Sequence, residues 1–196
     1  FRSQRLEDAR TYRGAWLRPS NFESFWETSV TFAQNAQVES VVELPSTTQA
    51  ATFKRITFAS TDQTQLCARV ILPAGVSVAE PLASAELPAS AKLPAVVLFS
   101  DLGRGVRSWL HLLRFSALGL PVVALEARPC EASLKDAWRG ALTAEGLARA
   151  LINPDDAASS TLKQLIDDAL VTTAVASRFL GRTTVTWGEG LGGSQA

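Results

Sequence analysis

Residues 95–125 read AVVLFSDLGRGVRSWLHLLRFSALGLPVVAL. The stretch opens on a continuous apolar run, Ala95 to Phe99, and closes on a second, Pro121 to Leu125. Between them, Trp109 to Leu118 repeats its apolar residues at helical spacing. Short apolar runs without alternation are the pattern of strands buried on both faces, and a helix between two such runs is the crossover that parallel strands require. The same pattern continues toward the C-terminus, where Thr161 to Leu180 is a long helical pattern and Thr183 to Trp187 (TTVTW) a third strand-like run. Short apolar runs alternating with helices place the chain in the α/β class.

Upstream the pattern changes. Over 52–72, Phe53, Arg55 and Thr57 fall on one side and Lys54, Ile56 and Phe58 on the other; after the turn-like Ser60 to Gln63 come Leu66, Ala68, Val70 and Leu72. Two alternating runs around a short polar turn predict an antiparallel hairpin. Further upstream, in a segment rich in arginine and aromatics that includes Trp16, the residues Phe22, Phe25, Trp26 and Phe32 share one helical face. With Ser20 or Asn21 in the capping position, they predict an amphipathic helix over 21–34 whose aromatic stripe packs against the domain body. Residues 73–94 are almost all Ala, Ser, Pro, Val and Glu with no stable period, so a long loop or flexible insertion is expected. An antiparallel hairpin followed by strand, helix, strand, helix, strand fits an α/β-hydrolase arrangement, a central mostly parallel sheet with helices on both faces. A dinucleotide-binding fold fits less well, because Ser100-Asp101-Leu102-Gly103-Arg104-Gly105 has only two of the glycines that its first turn needs.

Composition narrows the function classes. The 196 residues are 46% hydrophobic and 19% charged, and 19 basic residues balance 19 acidic ones, against the basic excess of a nucleic-acid binder. No apolar run approaches the ~20 residues of a membrane span, so a soluble protein is expected. Two cysteines, Cys67 and Cys130, and one histidine, His111, do not make a four-ligand zinc site, so no metal and no cofactor are expected. Any histidine base must be His111 or lie outside these residues. The chain contains no methionine, which is the expectation for a processed chain or a piece of a longer one.

The third apolar run leads into Gly188-Glu189-Gly190-Leu191-Gly192-Gly193. A strand entering Gly-x-Ser-x-Gly is a nucleophile elbow, whose turn is too sharp for side chains beside the nucleophile. Here the flanking glycines are in place and the nucleophile position holds Gly190. This elbow with Gly193, the opening Thr11-Tyr12-Arg13-Gly14 and Arg18-Pro19-Ser20-Asn21-Phe22-Glu23-Ser24-Phe25-Trp26, the segment Leu93 to Gly105, and Val122 to Arg128 together resemble the acetyl xylan esterase and cephalosporin C deacetylase family of α/β-hydrolases. The resemblance spans nearly the whole chain apart from 73–94 and about 129–160. It implies a serine esterase that removes acetyl groups from small carbohydrate or cephalosporin esters, needs no cofactor and assembles into oligomers. It divides the chain into an N-terminal extension, 1–51, and the N-terminal portion of a hydrolase domain, 52–196.

Carried over residue by residue, the family's working parts are altered. Where the family has His-Gly-Tyr-Gly, this chain has Ser100-Asp101-Leu102-Gly103. The backbone of Leu102 could still donate to an oxyanion, yet Asp101 brings a carboxylate to a place where negative charge would develop. Where the family has Asp-x-Arg-Gly-Gln-Gly, this chain has Glu126-Ala127-Arg128-Pro129-Cys130-Glu131, keeping the arginine. The family serine aligns with Gly190 and the second oxyanion donor with Leu191, and the family's acid and histidine follow the elbow, beyond Ala196. Ser194 offers an alternative nucleophile, because Gly192-Gly193-Ser194-Gln195 repeats the letters around the family serine. That alignment needs extra residues between strand and turn, so Ser194 is read as part of the next helix.

Other candidates receive structural readings: His111 as a surface or hydrogen-bonded histidine, Cys130 as a free thiol without a paired base, and Asp155-Asp156 and Asp167-Asp168 as solvated caps and faces. Three functions follow: a non-catalytic relative that keeps a carbohydrate-sized pocket, an active ester hydrolase with a displaced nucleophile, and a structural interaction module. The expected partners are an acetylated carbohydrate or small ester and a second copy, or a further segment, covering the apolar edge at Thr183 to Trp187. The sequence does not distinguish cytoplasm from secretion.

Overall fold

The computed structural model describes residues 10–11, 18–45, 48–78, 93–101, 106, 108–126, 153 and 155–196. The expectations for Trp16, Leu102, Arg128, Cys130 and most of the 73–94 insertion lie outside the described residues.

The elements in chain order are α1 (Phe22–Asn35), β1 (Ser40–Leu44), β2 (Ala51–Ala59), β3 (Gln65–Pro73), β4 (Ala95–Phe99), α2 (Trp109–Ser116), β5 (Val122–Leu125), a 3-10 turn (Ala157–Ser159), α3 (Thr161–Leu180), β6 (Thr184–Gly188) and α4 (Gly192–Gln195). Among the described residues, one six-stranded sheet has the order β1-β2-β3-β5-β4-β6. β2 and β3 form the expected antiparallel hairpin, with Ile56 opposite Ala68. β3 runs antiparallel to β5, and β4 is parallel to both β5 and β6.

The alternation in β2 and β3 sorts side chains onto two faces. Ile56, Phe58, Leu66, Ala68, Val70, Val97, Phe99 and Val123 meet Ala169, Val171, Val175, Ala176 and Leu180 of α3. Phe53, Ile71, Val96, Leu98, Val122 and Ala124 meet Leu112 and Phe115 of α2, with Trp109 set edge-on to Phe53 at 5.2 Å between ring centroids. All five residues of β4 are buried, which is why that strand reads as an unbroken apolar run. α3 starts where the Ser160 hydroxyl accepts the Lys163 N–H, and it stops at Gly181 in the left-handed conformation, φ 57°.

One reading needs correction. Asp167 and Asp168 are not solvated; they are 3% and 0% exposed. Asp168 accepts a hydrogen bond from the Ser60 hydroxyl. Asp167 accepts from Thr61 Oγ1 at 2.8 Å and from Lys163 Nζ at 2.7 Å. Both carboxylates meet the turn between β2 and β3, through the adjacent residues Ser60 and Thr61, on a part of α3 that the sheet and α1 cover. Asn21 does stand at the N-cap of α1, but its side chain makes no capping bond; the Ser24 hydroxyl donates to the Asn21 carbonyl at 3.0 Å.

Candidate functional site

β4 and β6 lie side by side, with Phe99 opposite Gly188 at their carboxyl ends. From β4 the chain passes through α2 to β5 on one side, and α3, on the opposite face, leads into β6 on the other side. The loops leaving β4 and β6 therefore meet where the strand order reverses, the place in an open α/β sheet where a binding crevice forms.

The turn from β6 into α4 is tight. The Glu189 N–H donates to the Phe99 carbonyl at 3.2 Å, and Gly192 N–H returns to the Glu189 carbonyl at 3.0 Å. A Cβ on Gly188 would lie closer than 3.0 Å to the Gly192 carbonyl oxygen, and one on Gly192 closer than 3.0 Å to the Phe99 carbonyl oxygen. These two glycines are thus required by backbone approach. Gly190 stands at the tip with φ +60°. Ser194 lies beyond it, exposed in α4, its N–H donating to the Leu191 carbonyl at 2.9 Å.

Asp101, two residues past β4, reaches into this turn. Its Oδ1 accepts the Leu191 N–H at 3.0 Å, and a Cβ on Gly190 would overlap its carboxylate. The N–H expected to face a developing oxyanion is therefore engaged by a carboxylate of the chain itself.

Glu189 carries a second set of contacts that the sequence reading missed. Its Oε1 lies 3.6 Å from His111 Nε2 and 3.4 Å from Arg114 Nη2. The Arg114 guanidinium stacks over Phe115 and Trp187, 4.7 and 5.9 Å from their ring centroids. His111 and Arg114 stand one helical turn apart in α2, a spacing that puts both on one face, but nothing in the sequence pairs that face with residue 189. At the end of β5, Glu126 receives Arg69 Nε at 2.6 Å. Burial, followed by the neighbouring Glu126 carboxylate, pushes the Cys67 thiol up to about 11, so Cys67 is no nucleophile near neutral pH.

Among the described residues, no group of three or more His, Cys, Asp or Glu side chains is placed to hold a metal ion, and no helix is long and apolar enough to cross a membrane. A groove of about 410 Å³ between α1, α3, α4 and β6 is lined by residues such as Val30, Ile166, Leu170 and Thr186 and has no charged side chain in its wall.

The acetyl xylan esterase (AXE1) family model matches residues 3–157. No curated protein matches the chain in sequence. Among solved structures, acetyl xylan esterase 1 from a Thermoanaerobacterium species is 18% identical, with a TM-score of 0.68 over 97% of this chain and 57% of its own. An acetyl xylan esterase from a Paenibacillus species is also 18% identical, with a TM-score of 0.62 over 93% of this chain and 56% of its own. The chain thus spans a little over half the length of these structures, and at that identity they speak for the fold. The family match over most of the chain establishes that it belongs to the acetyl xylan esterase family, and the α/β-hydrolase fold of these structures agrees with it.

Proposed function

We propose that this chain is a non-hydrolytic member of the family, which keeps the esterase scaffold and recognises an acetylated carbohydrate or similar small ester without cleaving it. The observation that carries this reading is the glycine at the tip of the strand-to-helix turn, Gly190 at φ +60°. Serine hydrolysis needs a hydroxyl at that point, and a hydrolase stripped of its triad retains only about 10³- to 10⁴-fold over water, supplied by the oxyanion hole and substrate binding. The Asp101 bond to the Leu191 N–H supports the same reading, because it removes one donor from that residual contribution.

The test is hydrolysis of 4-nitrophenyl acetate by the full chain, beside Ser194→Ala and Cys130→Ala, with calorimetric titration of acetylated xylo-oligosaccharides. Nitrophenol release indistinguishable from background in all three proteins, with saturable heat from the oligosaccharide, is the expected result. Turnover that disappears in either variant would establish a displaced nucleophile, and absence of both turnover and binding would favour a structural module.

A further inference from the structure

Gly190 has two separable reasons to be glycine. One is conformational: φ +60° disfavours any side chain. The other is spatial: the three atoms nearest to a Cβ at 190 all belong to the Asp101 carboxylate. That carboxylate is held in place, as its Oδ1 accepts the part-buried Leu191 N–H at 3.0 Å. The two loops are also joined at their bases by the backbone bond from Glu189 N–H to the Phe99 carbonyl.

We infer that Asp101 and Gly190 are a matched pair, in which the Asp101 carboxylate fills the space of a nucleophile side chain and takes the hydrogen bond of a substrate oxyanion, so that the chain closes its own catalytic centre. The inference rests on reading the β6–α4 turn as the nucleophile turn, and it explains more than a lost serine does. A glycine alone would leave an open notch beside a donor N–H; here the notch is filled and the donor satisfied. The occupant is also anionic, so it opposes an ester's developing negative charge as well as its volume. A hydroxyl restored at 190 would still meet the carboxylate, and reopening the centre requires a change at both positions.

A double-mutant cycle on the full chain, read by urea unfolding, tests the pairing. Gly190→Ala is expected to lower the folding constant about 100-fold or more in the parent chain. In an Asp101→Ala background it should lower it only about tenfold, the remaining cost of the positive φ. Asp101→Asn should behave as the parent, since the amide keeps both the volume and the acceptor oxygen. Hydrogen exchange at the Leu191 amide should accelerate in Asp101→Ala and not in Asp101→Asn. Equal losses from Gly190→Ala in the parent and in the Asp101→Ala background would overturn the inference. Should Gly190→Ala alone fail to fold, recovery of folded chain with Asp101→Ala but not with Asp101→Asn gives the same positive answer, and failure in every background the negative one. Acetyl ester turnover by the parent would sink the non-hydrolytic reading and leave this coupling standing; additive losses would do the reverse.

Discussion

At the elbow, adjacent glycines differ in what they are for. Gly192 packs its Cα against the Phe99 carbonyl, with no room for a methyl group, whereas a Cβ on Gly193 would meet its nearest neighbour, the Gly188 carbonyl oxygen, at an ordinary 3.6 Å. Gly192→Ala must therefore push β4 and α4 apart and should destabilise by ~3 kcal/mol or more, in the range of overpacked cores. Gly193→Ala sits in a helix where alanine is intrinsically better by ~1 kcal/mol, so it should be neutral or mildly stabilising. Urea midpoints of the two variants would separate these expectations, and equal losses would refute the distinction. The spacing of the flanking glycines was legible in the sequence because only one residue type solves a backbone clearance. That a carboxylate at Asp101 stands in the loop leaving β4 was legible as well. Its seat on the Leu191 N–H was not, because an irregular loop has no periodicity from which its direction can be read.

The largest departure at the scale of elements concerns how α1 and α3 are joined. Lys163 Nζ bonds Ser29 Oγ at 2.8 Å and both Asp167 oxygens at 2.9 and 2.7 Å. It also lies over the rings of Phe25 and Trp26, 5.6 and 5.1 Å from their centroids. In the last turn of α3, the Arg178 guanidinium donates to the carbonyls of Ala33, Gln34 and Ala36 and so closes the C-terminal end of α1. Of the aromatic stripe of α1, Phe25, Trp26 and Phe32 are half-buried as the spacing indicated, whereas Phe22 is exposed, and much of what Phe25 and Trp26 meet is charged. Such a contact is invisible to an apolar-periodicity reading, which scores a paired buried aspartate as solvent-facing. Removing one partner is costly because the other stays buried and charged: Lys163→Met should cost ~3–5 kcal/mol, while Lys163→Met with Asp167→Leu should recover most of the loss. Chemical denaturation of the single and double variants checks this, and a double variant no more stable than the single would contradict it.

For the molecule as a whole, the strand that resisted sequence reading is instructive about its surface. β1 was not anticipated. Four of its five residues are exposed, and it is held to β2 by polar pairs, Ser40 to Thr57 at 2.7 Å and Lys54 to Glu43 at 2.6 Å, so it has neither the alternation nor the apolar run that marks a strand. Among the described residues it nevertheless forms one edge of the sheet, with Val41 and Val42 47% and 51% exposed, while at the other edge Val185 and Trp187 of β6 are 51% and 49% exposed. Apolar side chains beside unpaired strand backbone favour edge-to-edge association. With 19 positive and 19 negative side chains and a pI near 6.8, long-range repulsion between molecules is weakest close to neutral pH. Static light scattering of the chain should therefore show concentration-dependent association that peaks near pH 7 and declines as net charge grows on either side. Val185→Lys places a charge on the β6 edge without entering the core, and it should suppress the scattering while leaving the urea midpoint within about 0.5 kcal/mol of the parent. Association that is indifferent to both pH and this substitution would locate the sticky surface away from β6.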